Sequence, residues 1–235
     1  MSVLQGPEFY ISKKVGRAIT DYDMLSDGDK IAVAVSGGKD SLTLLRVLAD
    51  RRKFVPIKYE PVAVHIDLGY PRSSAKPLER YFKKIKVSYH IEKVKIKPKD
   101  MSCFWCSWNR RKALFEVSNR LGCNKVALGH HKDDIVETIL LNLFFHAEIS
   151  AMSPKQELFK GKIIVIRPLA YVEEDMIRRF ARSAGFLPQK YTCPNSITSN
   201  RTKIAEIIKD LKRTCPDIKT NIFRSVKRIK EDYLL

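Results

Sequence analysis

The run Ser36-Gly37-Gly38-Lys39-Asp40-Ser41 places two hydroxyls, two glycines, a cation and a carboxylate in six consecutive positions. It lies between an apolar β-branched stretch, residues 31–35, and an apolar helical stretch, residues 42–48. Strand, glycine turn and helix start together aim backbone N–H groups and the positive end of a helix dipole at one point, which suits a polyphosphate. Gly37 and Gly38 permit the turn and a close approach of ligand to backbone. Ser36 and Ser41 add hydroxyl donors, Lys39 adds a cation, and Asp40 can hold Mg2+ or brace the loop. The spacing G-x-x-x-x-G-K-[ST] is absent, which disfavours an NTPase of that type acting at the γ-phosphate.

Cysteines form a second constellation. Cys103-Phe104-Trp105-Cys106 brings two thiolates within reach of one metal, and alone it fits zinc, an iron–sulfur cluster or a redox dithiol. The pair precedes a basic helix over residues 109–120, well into the chain, a context unlike that of a thioredoxin-type dithiol. Closed structural zinc asks for four N or S ligands, and no second C-x-x-C supplies them. Cys193, in a polar loop ahead of Pro194, is the natural third ligand; three thiolates without an obvious fourth suit a cluster with one iron left open. Cys123 reads as a small buried hydrophobe, and Cys215 as packed, exposed or the missing ligand.

The third constellation is Gly129-His130-His131-Lys132-Asp133-Asp134, with Glu137 and Thr138 one turn on. Adjacent carboxylates beside a nucleotide can coordinate Mg2+ or draw a proton from a substrate base, and an Asp ahead of residues 135–143 is also good N-cap chemistry. His65 falls at a strand end on the nucleotide side; it and His90 also read as hydrogen-bonded structural histidines. Phe104, Trp105 and Trp108 either pack in a core or stack on a base.

These residues need elements to hold them in register. Candidate strands are 30–35, 61–67, 88–94, 125–129 and 163–167; candidate helices are 9–19, 41–52, 75–85, 105–121, 133–145 and 173–184. Continuous apolar strands alternating with helices predict an α/β fold, a doubly wound parallel five-stranded sheet with ligands at the carboxyl ends of its strands. Each chemical motif then falls just after a strand. A leading helix and linker (1–27), the sheet domain (28–187) and a C-terminal region (188–235) complete the division. That last region is expected to carry a polar loop, 188–200, and an appendage of two basic helices, 201–211 and 217–231.

The formal net charge is +18 over 235 residues, a field that attracts polyanions and points to nucleic acid. The excess clusters over 72–99 and 201–230. No apolar stretch reaches the length that spans a bilayer, and residues 1–14 lack the apolar core of a signal peptide. The expectation is a cytoplasmic protein without membrane contact, in which the five cysteines stay reduced.

SGGKDS resembles the PP-loop of the ATP pyrophosphatase superfamily, which cleaves ATP between the α and β phosphates and transfers AMP. With C-F-W-C followed by Arg110-Arg111, the segment 127–134, Val165-Ile166-Arg167-Pro168-Leu169-Ala170-Tyr171 and a late cysteine, the chain resembles the tRNA 2-thiocytidine synthetases of the TtcA type. The resemblance spans about residues 28 to 230. It implies an ATP-dependent thiolase that adenylates a pyrimidine of tRNA and inserts sulfur, with a [4Fe-4S] cluster on Cys103, Cys106 and Cys193. It further implies ATP and Mg2+ at Ser36, Gly37, Gly38, Lys39, Asp40, Ser41, His65 and Gly129, and catalytic roles for Lys39, Asp133, Asp134, Cys103 and Cys106. The sulfur donor would be a cysteine desulfurase persulfide or sulfide, and a homodimer is compatible with the pattern. The rival readings are another adenylating enzyme with this loop, making 2-thiouridine, lysidine or an amide, and a zinc-bearing RNA-binding module without catalysis.

Overall fold

The computed structural model describes residues 6–69, 75–94, 103–186 and 200–233, except for the side chains of residues 103 and 104. Six strands form one sheet: β1 (Asp29–Ala34), β2 (Tyr59–Asp67), β3 (Ser88–Lys93), β4 (Lys125–Ala127), β5 (Lys155–Leu158) and β6 (Ile163–Ile166). Their order is β3-β2-β1-β4-β6-β5, parallel throughout except for the antiparallel pair β5 and β6. The helices are α1 (Pro7–Asp21), α2 (Lys39–Arg51), α3 (Lys76–Lys84), α4 (Cys103–Arg120), α5 (Lys132–His146), α6 (Glu174–Ser183), α7 (Asn200–Thr214) and α8 (Ile218–Ser225).

Both faces of the central strands are buried, which is why these strands read as unbroken apolar runs. Ile31, Val33, Ala63, Ala127 and Ile166 point to one face, beneath Ile11 and Val15 of α1, Leu44, Leu45 and Leu48 of α2, Phe82 of α3 and Ile177 of α6. Ala32, Val62, Val64, Val126 and Ile163 point to the other, beneath Ala113, Leu114 and Val117 of α4. The side-chain period of two along a strand produces this division. Each such Leu or Ile contributes roughly 1.5–3 kcal/mol by leaving water. From β1 the chain winds outward through β2 and β3, then returns to place β4 on the opposite flank of β1. The carboxyl ends of β1 and β4 therefore border the reversal of strand order, where such sheets open a crevice for ligands.

Three expectations change. The sheet has six strands rather than five: β5 adds an edge through a turn in which Phe159, Lys160 and Gly161 adopt left-handed backbone angles (φ 54°, 59° and 82°). Lys-Gln-Glu-Leu has no apolar run to signal it, and Gly161 ahead of the apolar β6 was the available cue. The last basic helix stops at Ser225 instead of residue 231; beyond it Lys227, Arg228 and Lys230 set like charges close together, and a short 3-10 turn, Glu231–Tyr233, follows. The two C-terminal helices also bury apolar residues against α5: Ile204 and Ile208 of α7 meet Val136 and Leu140, and Ile222 and Phe223 of α8 border both clusters around α5.

Candidate active site

The loop after β1 is held from both sides. The Val35 N–H donates to the Val64 carbonyl (2.8 Å), and Nδ1 of His65 donates to the Val35 carbonyl (2.7 Å). Burial lowers the pKa of His65, against the pull of that carbonyl, so its ring is a neutral brace for the loop. Gly37 takes φ 89°, open to glycine at little cost, and Gly38 is the N-cap of α2. The Ser36 N–H donates to Ser41 Oγ (3.2 Å), the Gly38 N–H to Ser36 Oγ (3.3 Å), and Ser41 Oγ–H to the Gly38 carbonyl (2.9 Å). Both serines thus shape the loop. No side chain caps α2, so its first-turn N–H groups remain available to an anion, and the residues present fit a polyphosphate.

The Lys39 ammonium lies 3.1 Å from Asp40 and 3.0 Å from Glu174 of α6. Burial opposes its charge, but these two carboxylates outweigh burial and raise its pKa. Glu174 also meets Arg178 (3.2 Å), and its own pKa falls because Lys39 and Arg178 outweigh its burial. Sequence reasoning missed Glu174; an acidic cluster opening α6 was the one sign of it.

The segment after β4 presses on this loop. A Cβ on Gly129 would stand 3.1 Å from the Ser41 nitrogen and 3.2 Å from backbone atoms of Asp40 and Ser41, so a side chain there would press on that backbone. His131, not an aspartate, is the N-cap of α5, and Asp134 reaches back to accept its N–H (2.9 Å). That is the reverse half of a capping box. Nε2 of His131 stands 3.8 Å from Asp40 and 3.4 Å from Asp134, and its Nδ1 is buried without a hydrogen bond.

The adjacent aspartates have different surroundings. Asp133 accepts the Glu174 N–H (2.9 Å) and pairs with Lys219 of α8, and its side chain is 9% exposed; Asp134 is 26% exposed. Lys132 extends the same tie, reaching Glu173 (3.1 Å) and Thr220 Oγ1 (2.8 Å). Together Lys132 and Asp133 fasten α6 and α8 to the start of α5. Glu137 meets Arg201 of α7 (3.5 Å), and burial, then Asp134, push its pKa up. Burial and the neighbouring Arg167 guanidinium push His130 down to about 4.

The C-x-x-C pair belongs to α4 itself rather than to a segment ahead of it: Cys103 is the first helical residue. Cys106 is half-buried, and a thiol there has the chemistry of a ligand to a thiophilic centre. The Cys103 side chain and Cys193 lie outside the described residues. Among the described residues no three His, Cys, Asp or Glu side chains converge as a preformed metal cage. Cys123 is buried and burial pushes its thiol up, as a small hydrophobe requires. Cys215 accepts from Asn221 Nδ2 at 3.6 Å. Trp105 and Trp108 are exposed rather than packed in the core, and the Lys112 ammonium stands 5.5 Å from the Trp108 ring. Helix α4 therefore presents aromatic and basic groups together.

Residues 8–192 match the PP-loop domain family. The chain is 40% identical to the tRNA-cytidine(32) 2-sulfurtransferases of Geobacter sulfurreducens and Geotalea uraniireducens over 235 residues, covering 96% of this chain and 91% and 93% of theirs. The corresponding protein of Delftia acidovorans is 39% identical, with 75% of its length covered. Among solved structures, the U34-tRNA thiolase NcsA from Methanococcus maripaludis with its [4Fe-4S] cluster has the same fold, at a TM-score of 0.77 and 23% identity over 97% of this chain and 81% of that one. No described helix is long and apolar enough to cross a membrane.

Proposed function

The chain belongs to the PP-loop domain family, and from that membership we propose that it is an ATP-dependent tRNA sulfurtransferase. It moves AMP from ATP onto the carbonyl oxygen of a tRNA pyrimidine, cytidine in the first instance, and exchanges that oxygen for sulfur. The observation that carries this reading is the uncapped start of α2 with Lys39 beside it, in a chain 40% identical over nearly its whole length to tRNA-cytidine(32) 2-sulfurtransferases.

A pyrimidine carbonyl oxygen is a poor leaving group. Its attack on the α-phosphorus expels pyrophosphate and makes it part of a phosphoester, so that AMP becomes the group to be displaced. The N–H groups of residues 36–41, with Lys39, stabilise the charge that grows on the departing pyrophosphate. Sulfur at the oxidation level of sulfide then attacks the base carbon, the C–O bond breaks, and AMP leaves with the bonding pair.

Asp134, the more exposed of the two aspartates, faces this chemistry, whereas Asp133 supports it by fastening α6 and α8. Asp40 and Asp134 would hold Mg2+ together with phosphate oxygens, and the ion supplies neutralising charge there. Cys103, Cys106 and Cys193 would hold a [4Fe-4S] cluster, which when bound supplies an iron open to a sulfur ligand. Trp105 and Trp108 offer stacking surfaces for an unpaired base, and Arg110, Arg111 and Lys112 on the same helix meet the RNA backbone. The sheet unit over 28–187 performs the activation, the region over 188–235 brings the third cysteine and basic helices, and the reaction takes place in the cytoplasm with sulfide, or a persulfide together with a two-electron thiol reductant, as donor.

Anaerobic purification with iron and sulfide determination, AMP–PPi exchange, and comparison of tRNA nucleosides from cells with and without the gene test this reading. Loss of 2-thiocytidine without the gene is expected. An unchanged thionucleoside profile overturns sulfur transfer, and zinc in place of iron with no exchange favours the RNA-binding rival.

A further inference from the structure

Arg167 follows β6 at the carboxyl edge of the sheet and is 8% exposed, yet among the described residues no carboxylate pairs with it. Among the described residues every acceptor it has is neutral. Its Nε–H donates to Nδ1 of His130 (3.4 Å), its Nη1–H to the Ser153 carbonyl, and its backbone N–H to the Pro154 carbonyl (2.8 Å). The first contact requires His130 to present a lone pair, which agrees with the depressed pKa of that ring. A buried guanidinium with no counterion among the described residues is costly, and the neighbourhood adds to the cost: burial, and then Arg111 of α4, lower the pKa of Arg167 to about 10. Arg201 adds positive charge around His130.

The place is equally specific. The Leu128 N–H donates to the Ile166 carbonyl (2.9 Å), so residues 129–130 and Arg167 leave the sheet side by side. Gly129 in turn abuts the backbone of Asp40 and Ser41. A guanidinium held at Nε and one Nη, two strands beyond the loop with β4 between, offers a planar fork of the kind that recognises phosphate oxygens.

We propose that Arg167, held by His130 and Ser153, is a phosphate-binding position at the mouth of the site that completes its charge on a phosphate of the substrates, either the α-phosphate of the nucleotide or a phosphodiester of the RNA. This deepens the reading above and rests on it for the identity of the two substrates. Binding alone tests it, so a failure of sulfur transfer leaves the result interpretable. Wild type, Arg167→Lys and Arg167→Gln would be titrated separately with a non-hydrolysable ATP analogue and with an anticodon stem-loop RNA, at several salt concentrations.

Arg167→Gln is expected to weaken one ligand by about ten- to a hundredfold, with Arg167→Lys between it and wild type. A loss confined to the analogue assigns the α-phosphate. A loss confined to RNA, with a salt dependence shallower by about one counterion, assigns the phosphodiester. A folded Arg167→Gln protein that binds both ligands like wild type overturns the assignment. If that variant does not fold, the Nε–H resonance of Arg167 in wild-type protein is the readout: it must shift on saturation with one of the two ligands, and no shift with either overturns the assignment.

Discussion

The Lys39 ammonium sits 3.0 Å from the Glu174 carboxylate, so the cation proposed to meet the phosphates is already engaged by the first turn of a helix 135 positions further along the chain. On the proposed reading, incoming phosphate takes Lys39 over from Glu174. Glu174→Gln removes that competitor from a partly exposed pair, and the KM for ATP is expected to fall about two- to fivefold, with exchange turnover little changed. Lys39→Met removes the charge altogether, and AMP–PPi exchange should drop by at least about a hundredfold. An unchanged KM in Glu174→Gln would mean that the pair opens without cost.

Gly129→Ala tests the contact between the two loops. The new methyl would meet backbone atoms at 3.1–3.2 Å, and backbone cannot move aside as a flexible side chain can. Nucleotide affinity should fall by about tenfold or more while the fold persists, since overpacking costs about 1–3 kcal/mol. Calorimetric titration with an ATP analogue, alongside thermal melting, separates the two effects.

Much of the architecture is legible in the sequence because burial on both faces leaves an unmistakable trace: Ile31 to Val33, Val62 to Val64 and Ile163 to Ile166 are apolar runs that only a covered parallel sheet accounts for. Strand β5 leaves no such trace, since an edge strand carrying Lys155 and Glu157 satisfies its backbone on one side only and packs little. At the site, the loop over 36–41 is legible because its glycines, hydroxyls and cation are contiguous. Glu174 and Arg167 are not, because their roles arise from how α6 packs on α2 and how β6 lies beside β4. The equal appearance of Asp133 and Asp134 in sequence conceals unequal surroundings, which only the approach of α6 and α8 creates.

His130 links the site to acidity. Burial and Arg167 hold its folded pKa near 4, against an ordinary 6.5, with Arg201 and His131 adding to the effect and Asp134 opposing it. Between those two values the unfolded chain takes up a proton that the folded chain refuses. This contribution to stability is therefore complete above about pH 6.5 and is lost as pH falls toward 4. His130→Asn cannot titrate, so urea midpoints measured at pH 7.5 and pH 5 should differ less in the variant than in wild type. An equal difference in both proteins would show that His130 is protonated in the folded state at pH 5.

The opposite end of β1 holds a charge pair with a structural consequence. Asp29 and Lys125 meet at 2.6 Å, each 5% exposed; Asp29 also accepts from the Ser26 N–H (2.6 Å) and Asn124 Nδ2 (2.7 Å), and Lys125 donates to the Met24 carbonyl (3.0 Å). Lys125→Met leaves the carboxylate buried and unpaired, and denaturant unfolding should show a loss of about 3–5 kcal/mol. Adding Asp29→Asn should restore a large part of it. Neither protein should show an altered KM for ATP, because the pair lies at the amino ends of β1 and β4, away from the loop.

Asp133 and Asp134 allow the sharpest separation of roles. Asp133 has both oxygens engaged, by the Glu174 N–H and by Lys219, so its charge fixes the relative placement of α5, α6 and α8. Asp133→Asn leaves the Lys219 ammonium, itself largely buried, without its anion. A loss of about 2–4 kcal/mol in stability is expected, with activity falling in proportion to the population that retains α8 in place. Lys219→Met in the same protein should restore stability in part. Among the described residues Asp134 is held by His131, through its N–H and beside its Nε2, and is about three times as exposed, at 26% against 9%. If Asp134 has the proposed role, Asp134→Asn should melt within a few degrees of wild type while exchange turnover falls by about a hundredfold or more, the scale expected when a group at the reacting centre is removed. The two variants are told apart by plotting activity against melting temperature, where Asp133→Asn and its Lys219→Met rescue lie on one line and Asp134→Asn falls far below it.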